Sequence, residues 1–143
     1  MKLTEDQKAE VLETLHNYGT AYQKKDIKTL LALFSSEISG YGSGADEVIL
    51  DKKDFTRQIK RDLSQATSIS VKFSGVKIFG EGRIAWVTSK SNITFTLEGT
   101  KKQTICGRST IVLRNTGSRF VIEQVHFSMP YLEQSAGQSF PGA

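Results

Sequence analysis

The spacing of apolar residues changes partway along this 143-residue chain, and that change restricts the possible folds. Before Ser68 the apolar residues recur three or four positions apart, as they do on one side of an α-helix. From Ser68 onward they alternate with polar residues, as in half-buried β-strands. Helices followed by long strands predict the α+β class, with N-terminal helices packed on a mainly antiparallel sheet.

Three helices are predicted in the first part, each preceded by a polar capping residue. Thr4 with Gln7 forms a capping-box pattern at the start of the first helix. Asp26 can cap a short second helix, and Asp51 can cap a third that extends to about Gln65. The N-terminal layer therefore consists of three helices, and the less regular segment Ser35–Leu50 between the second and third could include a short strand at Glu37–Tyr41.

The strand region contains a change of phase that predicts a bent sheet. Ile69, Val71 and Phe73 alternate with polar residues, but after Gly75 the apolar positions shift by one. One inserted residue at this point would form a β-bulge, and bulges bend sheets. A curved sheet whose concave side is covered by helices leaves a pocket between the two layers.

The last two strands form a hairpin, in which residues 107–114 and 119–128 flank an Asn/Gly/Ser turn. Strict alternation places Phe120, Ile122, Gln124, His126 and Ser128 on one face of the return strand. That face is apolar at one end and polar at the other, so we interpret it as a wall of the pocket.

Four segments, in this order, resemble those of one superfamily. They are Gly42–Glu47 between the second and third helices, Ile84–Val87 in a middle strand, Gly107–Thr110 opening the penultimate strand, and His126–Pro130 closing the last. By these segments the chain resembles the nuclear transport factor 2-like (NTF2-like) superfamily, which includes ketosteroid isomerases and SnoaL-like polyketide cyclases. Within it, the chain is most similar to small bacterial SnoaL-like proteins of unassigned function.

The resemblance implies a cone-like (cystatin-like) fold with a strongly curved sheet and a pocket. It also implies a homodimer formed through the outer face of the sheet. We expect one domain over residues 1–130 and a C-terminal tail over residues 131–143. The Arg-x-Thr and His-x-Ser pair is similar to the association domain of calcium/calmodulin-dependent kinase II, which assembles without catalysing a reaction.

His126 and Asp46 are the candidate catalytic residues. A histidine in a pocket can act as a general acid or base near neutral pH, although a strand histidine can equally be part of the scaffold. Asp46, in the glycine-rich loop, could be the partner carboxylate if burial raised its pKa. The alternative is a turn carboxylate that accepts backbone hydrogen bonds.

Arg108 is the candidate for binding an acidic ligand, because a guanidinium group fits a carboxylate well. It could instead pair with Asp46 or Glu47 and hold the loop closed. The remaining candidates for ligand binding offer aromatic surface or a hydrogen-bonding group: Tyr18, Tyr22, Tyr41, Trp86, Thr110, Gln124 and Ser128.

Several classes of protein are disfavoured. Two distant histidines and one cysteine give no zinc-ligand spacing, and no cofactor-binding motif is present, so neither metal nor cofactor is predicted. The net charge of +4 is a mild excess spread along the chain, so no nucleic-acid partner is expected. No membrane association is predicted, and the lone Cys106 with the polar N-terminal segment favours a cytoplasmic location.

Three functions remain open from the sequence. The first is a pocket protein that binds a small, partly apolar ligand with an acidic or carbonyl group. The second is a cofactor-free isomerase, cyclase or hydratase in which His126 and Asp46 transfer protons and Arg108 stabilises an enolate. The third is a dimeric assembly domain without catalysis.

Overall fold

The three helices begin at the capping residues that the sequence indicates. In this computed structural model, which describes residues 1–142, the Thr4 hydroxyl accepts from the Gln7 backbone N–H at 3.1 Å. The Gln7 side chain accepts from the Thr4 backbone N–H at 3.0 Å, which completes the capping box. Asp26 and Asp51 each accept a hydrogen bond from the backbone N–H three residues ahead.

The four longest strands follow the helices, as expected for the α+β class, except that two further strands lie between the second and third helices. The elements are α1 (Glu5–Gln23), α2 (Ile27–Ala32), β1 (Phe34–Tyr41), β2 (Val48–Ile49), α3 (Lys52–Gln65), β3 (Ala66–Glu81), β4 (Ile84–Leu97), β5 (Gln103–Asn115) and β6 (Phe120–Ser128). The strands form one six-stranded sheet in the order β2-β1-β6-β5-β4-β3. Only the β1–β6 pair is parallel within the described residues, so the sheet is mainly antiparallel, as predicted.

The predicted bulge bends β3. Ser74 pairs with Lys90 and Lys77 pairs with Thr88, so β3 has an extra residue here relative to β4. Gly75 has a φ of +57°, in the left-handed region that glycine adopts without strain. The bulge curves the sheet around the helices.

The hydrophobic core lies between the helices and the inner face of the sheet. Leu15 of α1, Ile59 of α3 and Leu113 of β5 are almost completely buried there. Gly19 permits close packing of α1 on β3, because a Cβ at this position would lie only 2.5 Å from the Val71 carbonyl oxygen. This close approach explains a glycine inside a helix, where it costs conformational entropy.

A second bulge, which the sequence analysis did not identify, lies in β6. Val112 of β5 pairs with Gln124, whereas Leu113 pairs with Ile122, so Glu123 is the extra residue. The bulge changes which residues of β6 face inward. Ile122, which precedes the bulge, faces the core, and Val125, which follows it, faces the cavity. The two ends of β6 therefore do not share one continuous face.

The chain beyond β6 runs over the surface. Residues 131–142 form turns without a further helix or strand, and their side chains are exposed. Ala143, the last residue of the expected tail, lies outside the described residues. Within residues 1–142, no helix has the length and apolar character needed to span a membrane.

Candidate functional site

A cavity of about 280 Å³ lies between the helices and the inner face of the sheet. Its walls are mostly apolar and come from one helix and four strands. The apolar residues are Phe55 and Ile59 of α3, Ile69, Val71 and Phe73 of β3, Ile93, Phe95 and Leu97 of β4, Ile105 and Ile111 of β5, and Val125 and Phe127 of β6. The predicted pocket between the helices and the curved sheet is present.

Two phenols and one carboxyl group form a polar cluster in this apolar cavity. Tyr18 and Tyr22 lie one turn apart on α1, with ring centroids 5.3 Å apart, and both line the cavity. The Tyr22 hydroxyl donates a hydrogen bond to Asp62 Oδ2 at 3.0 Å. α1 and α3 therefore bring together groups that are 40 positions apart in the sequence.

Burial dominates the electrostatics of this cluster. Removal from water raises the pKa of the Asp62 carboxyl group; the hydrogen bond from Tyr22 opposes the increase, and the nearby charge of Glu47 adds to it. Burial also raises the pKa values of Tyr18 and Tyr22 above the ordinary phenol value. The phenols are therefore protonated at neutral pH, and burial disfavours the charged form of the Asp62 carboxyl group.

The position of Asp62 in the sequence is itself a signal for a site residue. Asp62 is three residues after Ile59 and seven after Phe55, so it lies on the apolar side of α3. Leu63, four residues after Ile59, also has the spacing of that side, and both Asp62 and Leu63 are partly buried. An acid on an apolar helix face is unusual enough to indicate a functional group.

The glycine-rich loop is attached to α3 by Arg61. Arg61 contacts Asp46 Oδ2 at 2.6 Å and Glu47 Oε1 at 3.3 Å, and Glu47 Oε2 accepts from the Gly44 backbone N–H at 2.6 Å. Asp46 is 73% exposed and does not line the cavity, and Arg61 lowers its pKa. The structure thus places Asp46 in an ion pair at the surface, rather than beside a ligand.

The expected polar wall on the last two strands faces away from the cavity. Arg108, Thr110, Gln124 and Ser128 are absent from the lining. Arg108 pairs with Ser128, and Thr110 pairs with His126, on the outer face of the sheet. The interpretation of this face as a cavity wall is wrong, because the bulge at Glu123 reverses the phase of β6.

Gln124, His126 and Ser128 follow the bulge in β6, and of these three His126 alone lines the cavity. Its side chain is exposed at the cavity edge, where its ring centroid lies 5.5 Å from that of Tyr41. Trp86 is on the outer face, 41% exposed and stacked on Phe79 with centroids 6.4 Å apart. The structure therefore does not bring His126, Asp46 and Arg108 together.

Two serines, which were not singled out from the sequence, add a second polar element to the cavity. Ser91 of β4 and Ser109 of β5 both line it, and their hydroxyls hydrogen-bond to each other. Ser91 is only 2% exposed. The sequence indicates Ser91 as a candidate, because it is a polar residue on the face of β4 that also carries Val87 and Ile93.

Within residues 1–142, no group of three or more His, Cys, Asp or Glu side chains is placed to hold a metal ion. The polar groups that line the cavity are hydroxyls, amides, carboxyls and one imidazole. Such groups can bind an organic ligand by hydrogen bonds and can transfer protons.

Solved structures with the same fold cover nearly the whole chain. An NTF2-like superfamily protein from Salmonella enterica serovar Typhimurium superposes with a TM-score of 0.83 at 19% identity, over 96% of this chain and 100% of that one. A candidate dehydratase of the NTF2-like family from Streptomyces avermitilis gives 0.82 at 16% identity, over 90% and 99%. A candidate calcium/calmodulin-dependent protein kinase II association domain from Xanthomonas campestris gives 0.77 at 14% identity, over 86% and 87%.

These identities are low, so the structural similarity establishes the fold alone. No curated protein matches the chain. Residues 11–132, however, match the model of the SnoaL-like domain. This match covers most of the chain and shows that it belongs to the SnoaL-like domain family, with the fold of the NTF2-like structures described above.

Proposed function

We propose that this protein binds a small, neutral and largely apolar molecule in the cavity, with a carbonyl or hydroxyl oxygen of the ligand at Tyr18 and Tyr22. The observation that carries the proposal is the Tyr22–Asp62 hydrogen bond inside an otherwise apolar cavity. A few placed polar groups within apolar walls are typical of small-molecule sites. Buried phenols are good hydrogen-bond donors to a neutral oxygen.

The charges around the cavity favour a neutral ligand over an acidic one. The lining contains two carboxyl groups, Glu47 and Asp62, and neither lysine nor arginine among the described residues. The expectation of an acidic ligand rested on Arg108, which lies on the outer face of the sheet. An anion in this cavity would be desolvated near carboxyl groups without a compensating cation, which is unfavourable.

We further propose that the site transfers a proton next to a carbonyl group, in a cofactor-free isomerisation, cyclisation or dehydration. Asp62 would be the general base or acid, because burial raises its pKa towards neutral pH. Tyr18 would stabilise the developing enolate oxygen by a hydrogen bond, while the Tyr22 hydroxyl donates to Asp62. The shared fold with a candidate dehydratase from Streptomyces avermitilis is consistent with this reaction class.

Solvent exchange measured by NMR tests this proposal without knowledge of the natural product. The purified protein is mixed with 2-tetralone, a small bicyclic ketone, in deuterium oxide. Ligand-detected NMR reports binding, and loss of the signals of the protons next to the carbonyl reports their abstraction. We expect catalysed exchange, with a decrease of about 10²- to 10⁴-fold in Asp62→Asn. Asp54→Asn is the matched control, since Asp54 is on the same helix but outside the cavity lining.

Each outcome bears on a different part of the proposal. Binding without exchange would overturn proton transfer and leave the binding function. Absence of both binding and exchange would overturn the proposed function. Equal exchange in wild-type protein and Asp62→Asn would overturn the role of Asp62.

We also propose that two copies associate through the outer face of the sheet. Phe79 and Trp86 are 48% and 41% exposed and stack on each other on this face, on the neighbouring strands β3 and β4. Val112, on the neighbouring strand, pairs with Trp86 and extends the apolar strip. Large aromatic side chains of this kind are enriched in protein interfaces, and burial of the strip is the expected driving force.

A further inference from the structure

We infer that Ser91 and Ser109 form a second polar contact for the ligand, so that the cavity selects molecules with two oxygen functions over molecules with one. This inference rests on the proposed function, since it assigns a specificity role within the same cavity. The first oxygen would be held by the tyrosines, and the second by the serine pair on the floor formed by the sheet.

The position of the serine pair supports the inference. Both side chains line the cavity, on adjacent strands. The neighbours that follow the pair in the cavity lining are aliphatic, with Ile93 after Ser91 and Ile111 after Ser109. Ser89, the cross-strand partner of Ser109, is buried but outside the lining, so Ser91 and Ser109 form the polar patch on the apolar floor of the cavity.

The two serine hydroxyls can make further hydrogen bonds. Each hydroxyl has one hydrogen to donate and two lone pairs. The Ser91–Ser109 hydrogen bond uses one of the two hydrogens, and it is the one hydrogen bond that either hydroxyl makes among the described residues. One hydrogen and several lone pairs remain. A ligand oxygen or hydroxyl would use them, whereas an apolar ligand would leave them buried and unsatisfied.

Aromatic rings border the patch and restrict the shape of the group that reaches it. Phe73 is the cross-strand partner of Ser91 on β3, and Phe127 is the partner of Ser109 on β6. Gly107 makes room for the Phe127 ring, because a Cβ at residue 107 would lie 2.2 Å from Phe127 Cε2. The Phe73 ring also contacts the edge of Tyr18, with centroids 5.6 Å apart. A flat ligand body between aromatic surfaces fits this arrangement.

The same aromatic contact links the two polar elements. Phe73 packs on Tyr18 from one side, and its backbone lies opposite Ser91. The tyrosine–aspartate cluster and the serine pair therefore belong to one cavity, separated by an aromatic ring. A rigid ligand with oxygens at both ends of a flat apolar body can contact both.

Two rigid probes that differ by one hydroxyl test the inference. Binding of 2-naphthol and of 2,6-dihydroxynaphthalene is measured by titration calorimetry or by probe fluorescence. We expect the dihydroxy compound to bind wild-type protein about tenfold more tightly, as one further hydrogen bond to a buried polar group implies. In the Ser91→Ala/Ser109→Ala double variant the ratio should fall to about one, with the affinity for 2-naphthol little changed.

Ser89→Ala is the matched control. Ser89 is on the same strand, faces inward and is buried, but it does not line the cavity. It should keep the preference of the wild-type protein. The double variant should remain folded, because replacing both partners of a hydrogen bond with apolar groups is nearly neutral for stability. If it does not fold, Ser109→Ala alone should lower the ratio.

A ratio of about one in the wild-type protein would overturn this inference while leaving the proposed binding function intact. Retention of the preference in the double variant, or its loss in Ser89→Ala, would also overturn it. Failure of both naphthols to bind the wild-type protein would count against the proposed function itself, and against this inference with it.

Discussion

The Tyr22 hydroxyl on α1 donates a hydrogen bond to Asp62 on α3 at 3.0 Å, inside the cavity. This contact joins two helices and satisfies a partly buried carboxyl group that would otherwise lose its hydration without compensation. It also places an ionisable group beside the space in which a ligand would bind. Stability and function at this site therefore depend on the same pair.

Asp62 should make the stability of the protein depend on pH. Its pKa is raised in the folded state, mainly by burial. Its favourable contribution is therefore fully present below the carboxyl pKa of the unfolded chain and is lost as the pH rises through the higher folded value. Asp62→Asn removes this titration, so the variant should gain stability relative to wild type as the pH rises.

Urea unfolding from about pH 4 to about pH 8 measures this difference. Asp54→Asn serves as the control, because Asp54 is a carboxyl group on the same helix that lies outside the cavity lining. A difference between wild type and Asp62→Asn that is constant with pH would contradict the prediction.

Removal of the Tyr22 hydroxyl should destabilise the fold. Tyr22→Phe leaves Asp62 without its donor, and the loss of a partner to a buried group costs about 1–3 kcal/mol. The hydrogen bond from Tyr22 lowers the pKa of Asp62, so this pKa should rise further in the variant. Thermal unfolding and a carboxyl-carbon NMR titration measure the two effects.

Tyr18→Phe provides the comparison for Tyr22→Phe. It removes a hydroxyl from the same helix but keeps the Tyr22–Asp62 hydrogen bond. Its effect on stability should be smaller. Equal destabilisation by the two substitutions would indicate that the contact with Asp62 contributes little.

Gly107 should tolerate no side chain. In Gly107→Ala the new Cβ would meet the Phe127 ring at 2.2 Å and the Ser128 carbonyl oxygen at 2.7 Å. Overpacking of this kind typically costs about 1–3 kcal/mol. Chemical denaturation should show the loss, and Phe127→Leu in the same chain should recover part of it. Additive effects of the two substitutions would rule out the steric explanation.

The proposed dimer should depend on Trp86. A lysine at this position places a charge in the exposed aromatic strip, and burial of an unpaired charge in an interface is costly. Wild-type protein should have the mass of a dimer in light scattering coupled to size exclusion, and Trp86→Lys should have that of a monomer. Tyr131→Lys is the control, since Tyr131 is 56% exposed but lies in the tail. A wild-type monomer at micromolar concentration would overturn the proposal.

Local sequence signals were sufficient for most of the architecture. The capping residues Thr4, Asp26 and Asp51 lie where the helices begin. The phase change at Gly75 corresponds to the observed bulge in β3. These features depend on interactions within a few residues, which a sequence displays directly. Tyr18 and Tyr22 were likewise predicted as cavity residues, because they share one side of a helix.

Placement of the remaining site residues required the tertiary structure. The alternation of residues in β6 does not reveal the bulge at Glu123, because its position depends on pairing with Val112 and Leu113 of β5. One inserted residue moves Gln124 and Ser128 to the opposite face and leaves His126 at the cavity edge. Asp62 is a functional candidate because α3 packs near α1, which brings its carboxyl group to the Tyr22 hydroxyl in the cavity. The sequence by itself determined the three helices and the strands that follow them, because these depend on local patterns. Packing between distant segments decided which side chains face the cavity.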